Sequence, residues 1–480
     1  MLRANEQYFI NSCIELLDDN LLYIVNTDSY IRQPCYSSRA IDCYYLIVEN
    51  DKAMVLEKIK YIQGEFQEFV LNYLTSEEVL KYPPQGKWQF IFSKNIYKKN
   101  DLPILEATSD DHLQALRQAL IGVGHIARHY YLRDLDTKTH TWAVRQFGWA
   151  LKYAEFGILS LWNYIRYGKY SSSIEKYTKI KPELEWLLST NKQWIQAERL
   201  MLADVQEYKQ ASLKLNKIQQ YFSKTLRANV SKENYLQLDQ VKSNNIDVGH
   251  IAEFKDDLIA KFKNNVRALY LIGSAARGDQ NKDSDIDTII VFSKLDEEVL
   301  IILSQIIQKY KKLSAYTLSM EDLIIYPEFR YYTLNEGSKK VFGDISFNET
   351  TQNLKVIDGT LNNMFIILQV ARSYLLMSNY GHRSVHMLKL MMKLADHGCM
   401  RPFAKYSSGK FPDKQADVKS IFTGNKFSTE VIEFVQNVNN HSTEVQHSLL
   451  NGNQQPLIDA YTLLDNFVAE FREMQNNYNL

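Results

Sequence analysis

Residues 268–292, ALYLIGSAARGDQNKDSDIDTIIVF, decide the fold of the central part of this chain. The apolar run at 269–272 predicts a buried strand that ends at the turn Gly273-Ser274. A second strand is predicted over residues 288–292, and Asp285-Ile286-Asp287 opens it. Because the two strands are expected to be neighbours in one sheet, the turn and the two aspartates should lie close together.

The two aspartates are expected on one face of the second strand. Side chains alternate along a strand, so Asp285 and Asp287 would share a face while Ile286 points into the core. Neighbouring carboxylates repel each other, and a fold tolerates them best when a divalent cation lies between them. The pair is therefore a candidate site for Mg²⁺ or Mn²⁺.

The turn and the acid pair together indicate phosphoryl transfer from a nucleoside triphosphate. Gly273 would let the backbone approach the phosphates, Ser274 would donate a hydrogen bond to them, and Arg277 would neutralise their charge. Asp285 and Asp287 would be the catalytic residues and would hold the metal that bridges the phosphates. The competing interpretation is a hairpin-like loop with a solvated acidic turn, and the strands predicted on both sides favour the site.

At these residues the sequence resembles the nucleotidyltransferase superfamily that includes DNA polymerase beta. The segments GSAARG at 273–278, SDID at 284–287 and SMEDL at 319–323 look most like kanamycin nucleotidyltransferase and the minimal nucleotidyltransferases. The resemblance covers about residues 247–345. It implies an α+β fold with a small mixed sheet, ATP as substrate with Mg²⁺ or Mn²⁺, and Ser284 as a further nucleotide-binding residue.

The sequence departs from this family at one position. The family normally adds a third carboxylate on a later strand, which should fall within residues 313–318, and Ser314 occupies that place. Either the second metal is held more weakly, or a carboxylate from elsewhere completes the site. The nearest in sequence are Glu321 and Asp322.

Five separated segments of the first half resemble segments of the second half. The paired segments are 22–27 with 269–274, 40–48 with 285–292, 75–83 with 318–327, 127–130 with 371–374, and 167–170 with 408–411, at offsets of 241 to 247 residues. We interpret this as a tandem duplication. Each copy would be a small nucleotidyltransferase-like domain, at 1–105 and 247–348, followed by a helical bundle domain, at 106–225 and 349–480. Residues 226–246 are the expected linker.

The first copy has lost the chemistry in this alignment. Asn26 and Thr27 replace the Gly-Ser turn, Ala40 replaces the first aspartate, and only Asp42 remains. One carboxylate cannot organise a triphosphate and its metals. The chain would then be a pseudo-dimer with one live site, either as a monomer or within a further homodimer.

The degenerate half could supply the general base. His125 and His129 lie on a helix predicted from Asp110 to Arg133, and the pKa range of histidine suits removal of a hydroxyl proton. The competing interpretation is that each is a surface residue or a satisfied core residue. Arg128 and Arg372 occur at matching positions in both copies, which favours a structural ion pair over a phosphate contact.

Composition limits the class of partner. The chain has 56 basic and 56 acidic residues, so no overall positive field draws it to nucleic acid. The four cysteines show no metal-binding or disulfide pattern, and no signal pattern or membrane span is evident. We therefore expect a cytoplasmic protein without nucleic-acid or membrane partners.

The expected function is transfer of a nucleoside monophosphate, AMP from ATP, to a hydroxyl or carboxyl group of a small-molecule acceptor with release of pyrophosphate. Two other functions stay open. One is nucleotidylation of a protein or tRNA, and the other is nucleotide binding without turnover.

Overall fold

The structure is a computed structural model of the 480-residue chain. The residues that it describes are 4–27, 42–49, 52–67, 69–80, 94–99, 108–132, 147–148, 150–197, 205–227, 236–243, 248–278, 285–310, 312–325, 338–347, 361, 364–365, 367–369, 371–372, 375–376, 381–409, 412, 415–424 and 429–477. None of the helices among them combines the length and the apolarity needed to cross a lipid bilayer.

The first part of the chain forms a four-stranded mixed sheet with two helices on one face. In chain order the elements are α1 (Ala4–Leu17), β1 (Leu21–Thr27), β2 (Asp42–Val48), α2 (Lys52–Glu65), β3 (Phe69–Thr75), α3 (Ser76–Leu80) and β4 (Lys94–Lys98). The strand order is β3-β2-β1-β4, with β2 and β3 parallel and the other pairs antiparallel. A core rich in aromatic residues, including Phe9, Tyr44 and Phe69, joins the sheet to α1 and α2.

A helical region follows the first sheet. It contains α4 (Ser109–Leu132), a π-helix (Tyr153–Ser160), α5 (Leu161–Tyr167), α6 (Lys181–Ala197) and α7 (Val205–Arg227). The long helix α4 matches the helix predicted from Asp110 to Arg133.

The second sheet has five strands and contains the motif of residues 268–292. Its elements are β5 (Leu236–Ser243), α8 (Ile251–Phe262), β6 (Val266–Leu271), α9 (Gly273–Arg277), β7 (Ile286–Phe292), α10 (Glu297–Ile307), β8 (Leu313–Ser319), α11 (Met320–Ile325) and β9 (Lys339–Phe347). The strand order is β5-β9-β6-β7-β8, with only β7 and β8 parallel. Helices α8 and α10 pack on one face of this sheet.

The predicted linker at 226–246 is wrong in part. Residues 236–243 form β5, which pairs antiparallel with β9 at the edge of the second sheet. The segment LQLDQVKS is polar enough to suggest a connector. Its backbone N–H and C=O groups instead form hydrogen bonds with β9, about 100 residues further along the chain.

The C-terminal region is helical. It contains α12 (Gly381–Lys393), a π-helix (Leu394–Met400), α13 (Arg401–Ser408), α14 (Gln415–Gly424), α15 (Glu430–Asn440), α16 (Ser442–Leu450) and α17 (Gln455–Asn477). With the two mixed sheets, these helices confirm the expected α+β class.

The described residues divide into two compact units, and neither unit coincides with the first or the second half of the sequence. One combines residues 4–99 with residues 361–477, and the other contains residues 108–347. Each unit therefore contains one sheet, and its large helical region comes from the other half of the sequence.

The alignment of Asp42 with Asp287 is wrong by one residue. A β-bulge between Leu21 and Tyr23 fixes the register of β1 on β2, and a bulge at the same place fixes that of β6 on β7. Counting from these bulges, Cys43 occupies the register position of Asp287, and Asp42 occupies that of Ile286. The first sheet therefore keeps neither aspartate of the motif at its register position.

The N-cap of α10 gives a test of how this helix is held against the second sheet. The Asp296 carboxylate accepts a hydrogen bond from the Val299 N–H at 3.2 Å and lies 2.5 Å from the Lys294 ammonium. Partial burial acts to raise the pKa of Asp296, but the Lys294 hydrogen bond and the Val299 N–H lower it below its ordinary value.

Because this pKa is depressed in the folded protein, the carboxylate stabilises the fold above the ordinary carboxyl pKa of about 4, and that contribution is lost as the pH falls further. We expect Asp296→Ala to lower the free energy of unfolding by about 1 kcal/mol at pH 7, measured by urea titration. Asp296→Asn keeps a capping oxygen and should retain most of the stability without the pH dependence. A loss in Asp296→Ala that is the same at pH 3 and pH 7 would contradict this account.

Candidate active site

The Gly273 turn lies directly against the Asp287 carboxylate. Strand β6 ends at Leu271, and the Ile272 N–H donates to the Asp287 carbonyl oxygen at 2.9 Å. Gly273 has φ +65°, in the left-handed region that favours glycine. A Cβ atom at this position would lie 3.1 Å from Asp287 Oδ2. The sequence predicts that the turn and the aspartates lie close together, and the structure brings Gly273 and Asp287 together.

A single turn of helix follows Gly273. In α9 the side chains of Ala275 and Ala276 are buried, whereas those of Ser274 and Arg277 are partly exposed. The turn closes at Gly278, whose φ is +80° and whose N–H donates to the Ser274 carbonyl oxygen at 2.9 Å. Gly273, Ser274 and Arg277 thus lie on one short segment beside β7. Ser284, the fourth predicted nucleotide-binding residue, lies outside the described residues.

The acid pair has the arrangement that strand alternation predicts. Asp285 is exposed, Asp287 is partly buried, and Ile286 between them packs against the core of the second sheet. Thr288 and the rest of β7 are fully buried. The two carboxylates therefore lie at the open end of a strand whose remainder is held rigidly in the sheet.

Ser314 lies beside Asp287, as the sequence predicts. In the parallel ladder of β7 and β8, these two residues are register partners. Partners in such a ladder lie about 5 Å apart with side chains on the same face. A carboxylate at position 314 would have joined the acid pair, and a serine hydroxyl is there instead.

Glu321 and Asp322 do not replace the third carboxylate. Both lie beyond the far end of β8, about 20 Å from the strand's first residues at 3.3 Å per residue. Asp322 is buried in an ion pair with Arg128, and Glu321 lies 3.0 Å from Arg227. The expectation that one of them completes the site is therefore wrong, because proximity in sequence places them at the opposite end of the strand.

Two histidines of α4 stack on a tyrosine of β8. The ring centroid of Tyr316 lies 5.3 Å from that of His125 and 5.2 Å from that of His129, with planes within 10° of parallel. The two histidine rings lie 5.5 Å apart. Tyr316 follows Ser314 by two residues, so it shares the face of Asp287 at a spacing of about 7 Å along the strand. All three rings are partly exposed.

A buried network fixes α4 on the second sheet. Arg128, one helical turn from His125 and next to His129, lies 2.5 Å from Asp322 and donates to the Thr317 carbonyl oxygen at 3.4 Å. Its other nitrogens donate to Asn216 and Gln219 of α7, at 2.7 and 2.5 Å. The predicted structural ion pair of Arg128 is confirmed.

No pattern in the sequence indicates Tyr316 directly. Its position two residues after Ser314 identifies its face once the strand is known, but its contact with α4 depends on tertiary packing. The sequence does not indicate the partner of Arg128 either, because only tertiary packing brings Asp322 to it.

Comparisons with known proteins identify the class of this domain. Residues 251–334 match the model of the nucleotidyltransferase domain family. No curated protein matches the chain. Among solved structures, a spectinomycin adenyltransferase from Enterococcus faecialis, crystallised with ATP and spectinomycin, is similar at 14% identity and a TM-score of 0.29. The similarity covers 46% of this chain and 98% of that one. Residues 251–334, which contain the Gly-Ser turn and both aspartates, are therefore the part of the chain that matches the nucleotidyltransferase domain family.

Proposed function

We propose that the second sheet carries a live site that transfers AMP from ATP to a hydroxyl or carboxyl group of a small-molecule acceptor, with release of pyrophosphate. The observation that carries the proposal is the left-handed turn at Gly273, where a Cβ atom would lie 3.1 Å from Asp287 Oδ2. Without a side chain at Gly273, a phosphate chain could approach the backbone beside the aspartates, within the residues that match the family model.

The acid pair fits a magnesium ion. Asp285 and Asp287 offer hard oxygen donors at an accessible strand end, and Mg²⁺ is commonly held by one or two carboxylates together with substrate phosphates. No group of three or more His, Cys, Asp or Glu side chains that could hold a metal ion occurs in the part of the chain that the structure describes, and the ligands that we propose are these two carboxylates. When bound, the ion would neutralise charge on the phosphates as pyrophosphate leaves.

The chain's own groups would bind and orient the nucleotide. The Ser274 hydroxyl would donate to a phosphate oxygen, and the Arg277 guanidinium would pair with the charge that develops on pyrophosphate. The buried side chains of Ala275 and Ala276 hold this segment in place. Orientation of the α-phosphorus relative to the acceptor would then come from a preformed turn.

His125 or His129 would act as the general base. The acceptor O–H would give its proton to an imidazole nitrogen while its oxygen forms a bond to the α-phosphorus and the bond to pyrophosphate breaks. Both rings contact Tyr316, on the face of the sheet that carries Asp287. This location supports the predicted role of the two histidines.

A second candidate is nucleotide binding without turnover. It is favoured by Ser314, which lies beside Asp287 at the place where the nucleotidyltransferase superfamily normally has its third carboxylate. The same experiment separates the two functions.

The direct test is pyrophosphate release from ATP and Mg²⁺ in the presence of a panel of hydroxylated and carboxylated small molecules that includes spectinomycin. We expect Asp285→Asn and Asp287→Asn each to lower kcat by about 100-fold or more, because metal-held charge contributes several kcal/mol to such transition states. Asp42→Asn, in the first sheet, is the matched control and should leave kcat unchanged.

Wild-type rates in the Asp285 and Asp287 variants would contradict the assignment of the site. If ATP binds, measured by calorimetry, and no acceptor releases pyrophosphate, binding without turnover is the correct function.

The turn itself can be tested with two glycines in left-handed conformations. Ala at Gly273 or at Gly278 carries a similar backbone strain of about 1 kcal/mol. Only at Gly273 does the added Cβ meet Asp287, since nothing lies within 4 Å at Gly278. We expect Gly273→Ala to lower kcat/KM about 100-fold and Gly278→Ala to have little effect, at equal loss of thermal stability. Equal activity of the two variants would refute the role of the close approach.

The base is tested by the pH dependence of kcat/KM for His125→Gln and His129→Gln. The wild-type rate should fall below the pKa of the essential imidazole, because its protonated form cannot accept a proton. Replacing the base should lower kcat about 100-fold, remove this acid limb and leave KM for ATP within twofold. If both variants keep the wild-type profile, neither histidine is the base.

A further inference from the structure

Both units contain a buried arginine–carboxylate pair. In one unit Arg128 lies 2.5 Å from Asp322, and in the other Arg372 lies 2.8 Å from Glu78. All four side chains are buried, with at most 7% of any residue exposed. The two arginines are 244 positions apart in the sequence, and so are the two carboxylates.

The surroundings of the two pairs also match. Arg128 donates to the Thr317 carbonyl oxygen at 3.4 Å, and Arg372 donates to the Tyr73 carbonyl oxygen at 2.8 Å. Tyr73 and Thr317 are again 244 positions apart, and each lies on the strand that precedes its carboxylate.

The carboxylates also make the same turn. Asp322 accepts from the Ser319 N–H at 2.8 Å and its own N–H donates to the Ser319 hydroxyl at 3.2 Å. Glu78 accepts from the Thr75 N–H at 2.8 Å and its N–H donates to the Thr75 hydroxyl at 3.1 Å. Each carboxylate thus closes a reciprocal capping box at the start of a short helix, α3 or α11.

The helical regions share a rarer feature. A π-helix followed by a short α-helix that ends at a left-handed glycine occurs at Tyr153–Ser160 with Gly168, and again at Leu394–Met400 with Gly409. The two glycines, with φ of 69° and 72°, are 241 positions apart. Because π-helices account for well under 1% of residues, two in matching places favour a common origin of the helical regions.

The partners in each pair come from opposite halves of the chain. Arg128 belongs to the first half and contacts a carboxylate of the second, while Arg372 belongs to the second half and contacts a carboxylate of the first. We propose that the chain is a duplicated protein whose halves have exchanged helical domains, each docked on the other half's sheet by the Arg128–Asp322 and Arg372–Glu78 pairs.

The exchange gives the first half a role in the protein, although its sheet has no aspartates at the register positions of Asp285 and Asp287. The first half supplies α4, which carries Arg128, His125 and His129, to the sheet that contains Gly273, Asp285 and Asp287. Its own sheet, through Glu78, holds the helical region of the second half. Neither half is complete alone, because each would leave a buried arginine and a buried carboxylate without their partners.

The test uses the full chain, folded intact and then cut. A protease recognition sequence is inserted between residues 227 and 236, where the first half joins the second. After cleavage, the two fragments are followed by size-exclusion chromatography in 0.5 M NaCl and by native mass spectrometry. We expect them to stay together as one species of the intact mass and to separate only in denaturant. Separation of the fragments without denaturant would overturn the proposal, because self-contained halves would come apart.

Charge variants of the cut chain test the role of the arginines. Arg128→Glu combined with Arg372→Glu should raise the dissociation rate of the fragments at least tenfold. Adding Asp322→Arg and Glu78→Arg should restore part of the lost association. The matched control is Lys217→Glu, which breaks the 2.5 Å pair with Glu183 inside one half and should leave the association unchanged. Arginine variants that dissociate no faster than this control would overturn the docking role.

Discussion

The buried pair of Arg128 and Asp322 is the interaction on which the arrangement of the unit with the second sheet depends. A guanidinium with 1% exposure requires its hydrogen bonds to be met inside the protein, and Asp322, Asn216, Gln219 and the Thr317 carbonyl meet them. These partners belong to β8, α7 and the short helix α11. Satisfying one charge therefore fixes α4 and α7 on the strand next to the one with Asp287, and with them the position of the histidine rings.

The two units share the buried arginine–carboxylate pair but differ in the polar residues beside it. On the second sheet, Tyr316 contacts His125 and the rings stay partly exposed. On the first sheet, the residues 244 positions away are Asn72 and Gln369, which are buried, and the Asn72 amide donates to the Gln369 carbonyl oxygen at 2.9 Å. An accessible ring stack is suited to proton transfer with a bound molecule, whereas a closed amide contact contributes to packing. This contrast fits a catalytic role for one sheet and a structural role for the other.

The sequence predicted those features that depend on neighbouring residues. The turn at Gly273 follows from conformational freedom, and the core-facing position of Ile286 follows from strand periodicity. The place of Ser314 is what the family resemblance implies, and the structure has all three features. Features set by distant partners were missed or misplaced. Strand β5 is recognisable only by its pairing with β9. The sequence alignment places Asp42 opposite Asp287, one residue away from its position in the structure, because apolar strands align similarly in several registers. The bulge between Leu21 and Tyr23 decides between those registers, and no residue type marks it.

The central claim is that ATP and its metal bind where the Gly273 turn meets the two aspartates. The most direct measurement is a crystal structure of the full chain with a nonhydrolysable ATP analogue and Mn²⁺, with anomalous scattering to locate the metal. The account predicts a manganese peak coordinated by Asp285 and Asp287, with the triphosphate against Gly273 and Ser274. Nucleotide bound elsewhere, or a metal that does not contact these carboxylates, would contradict it.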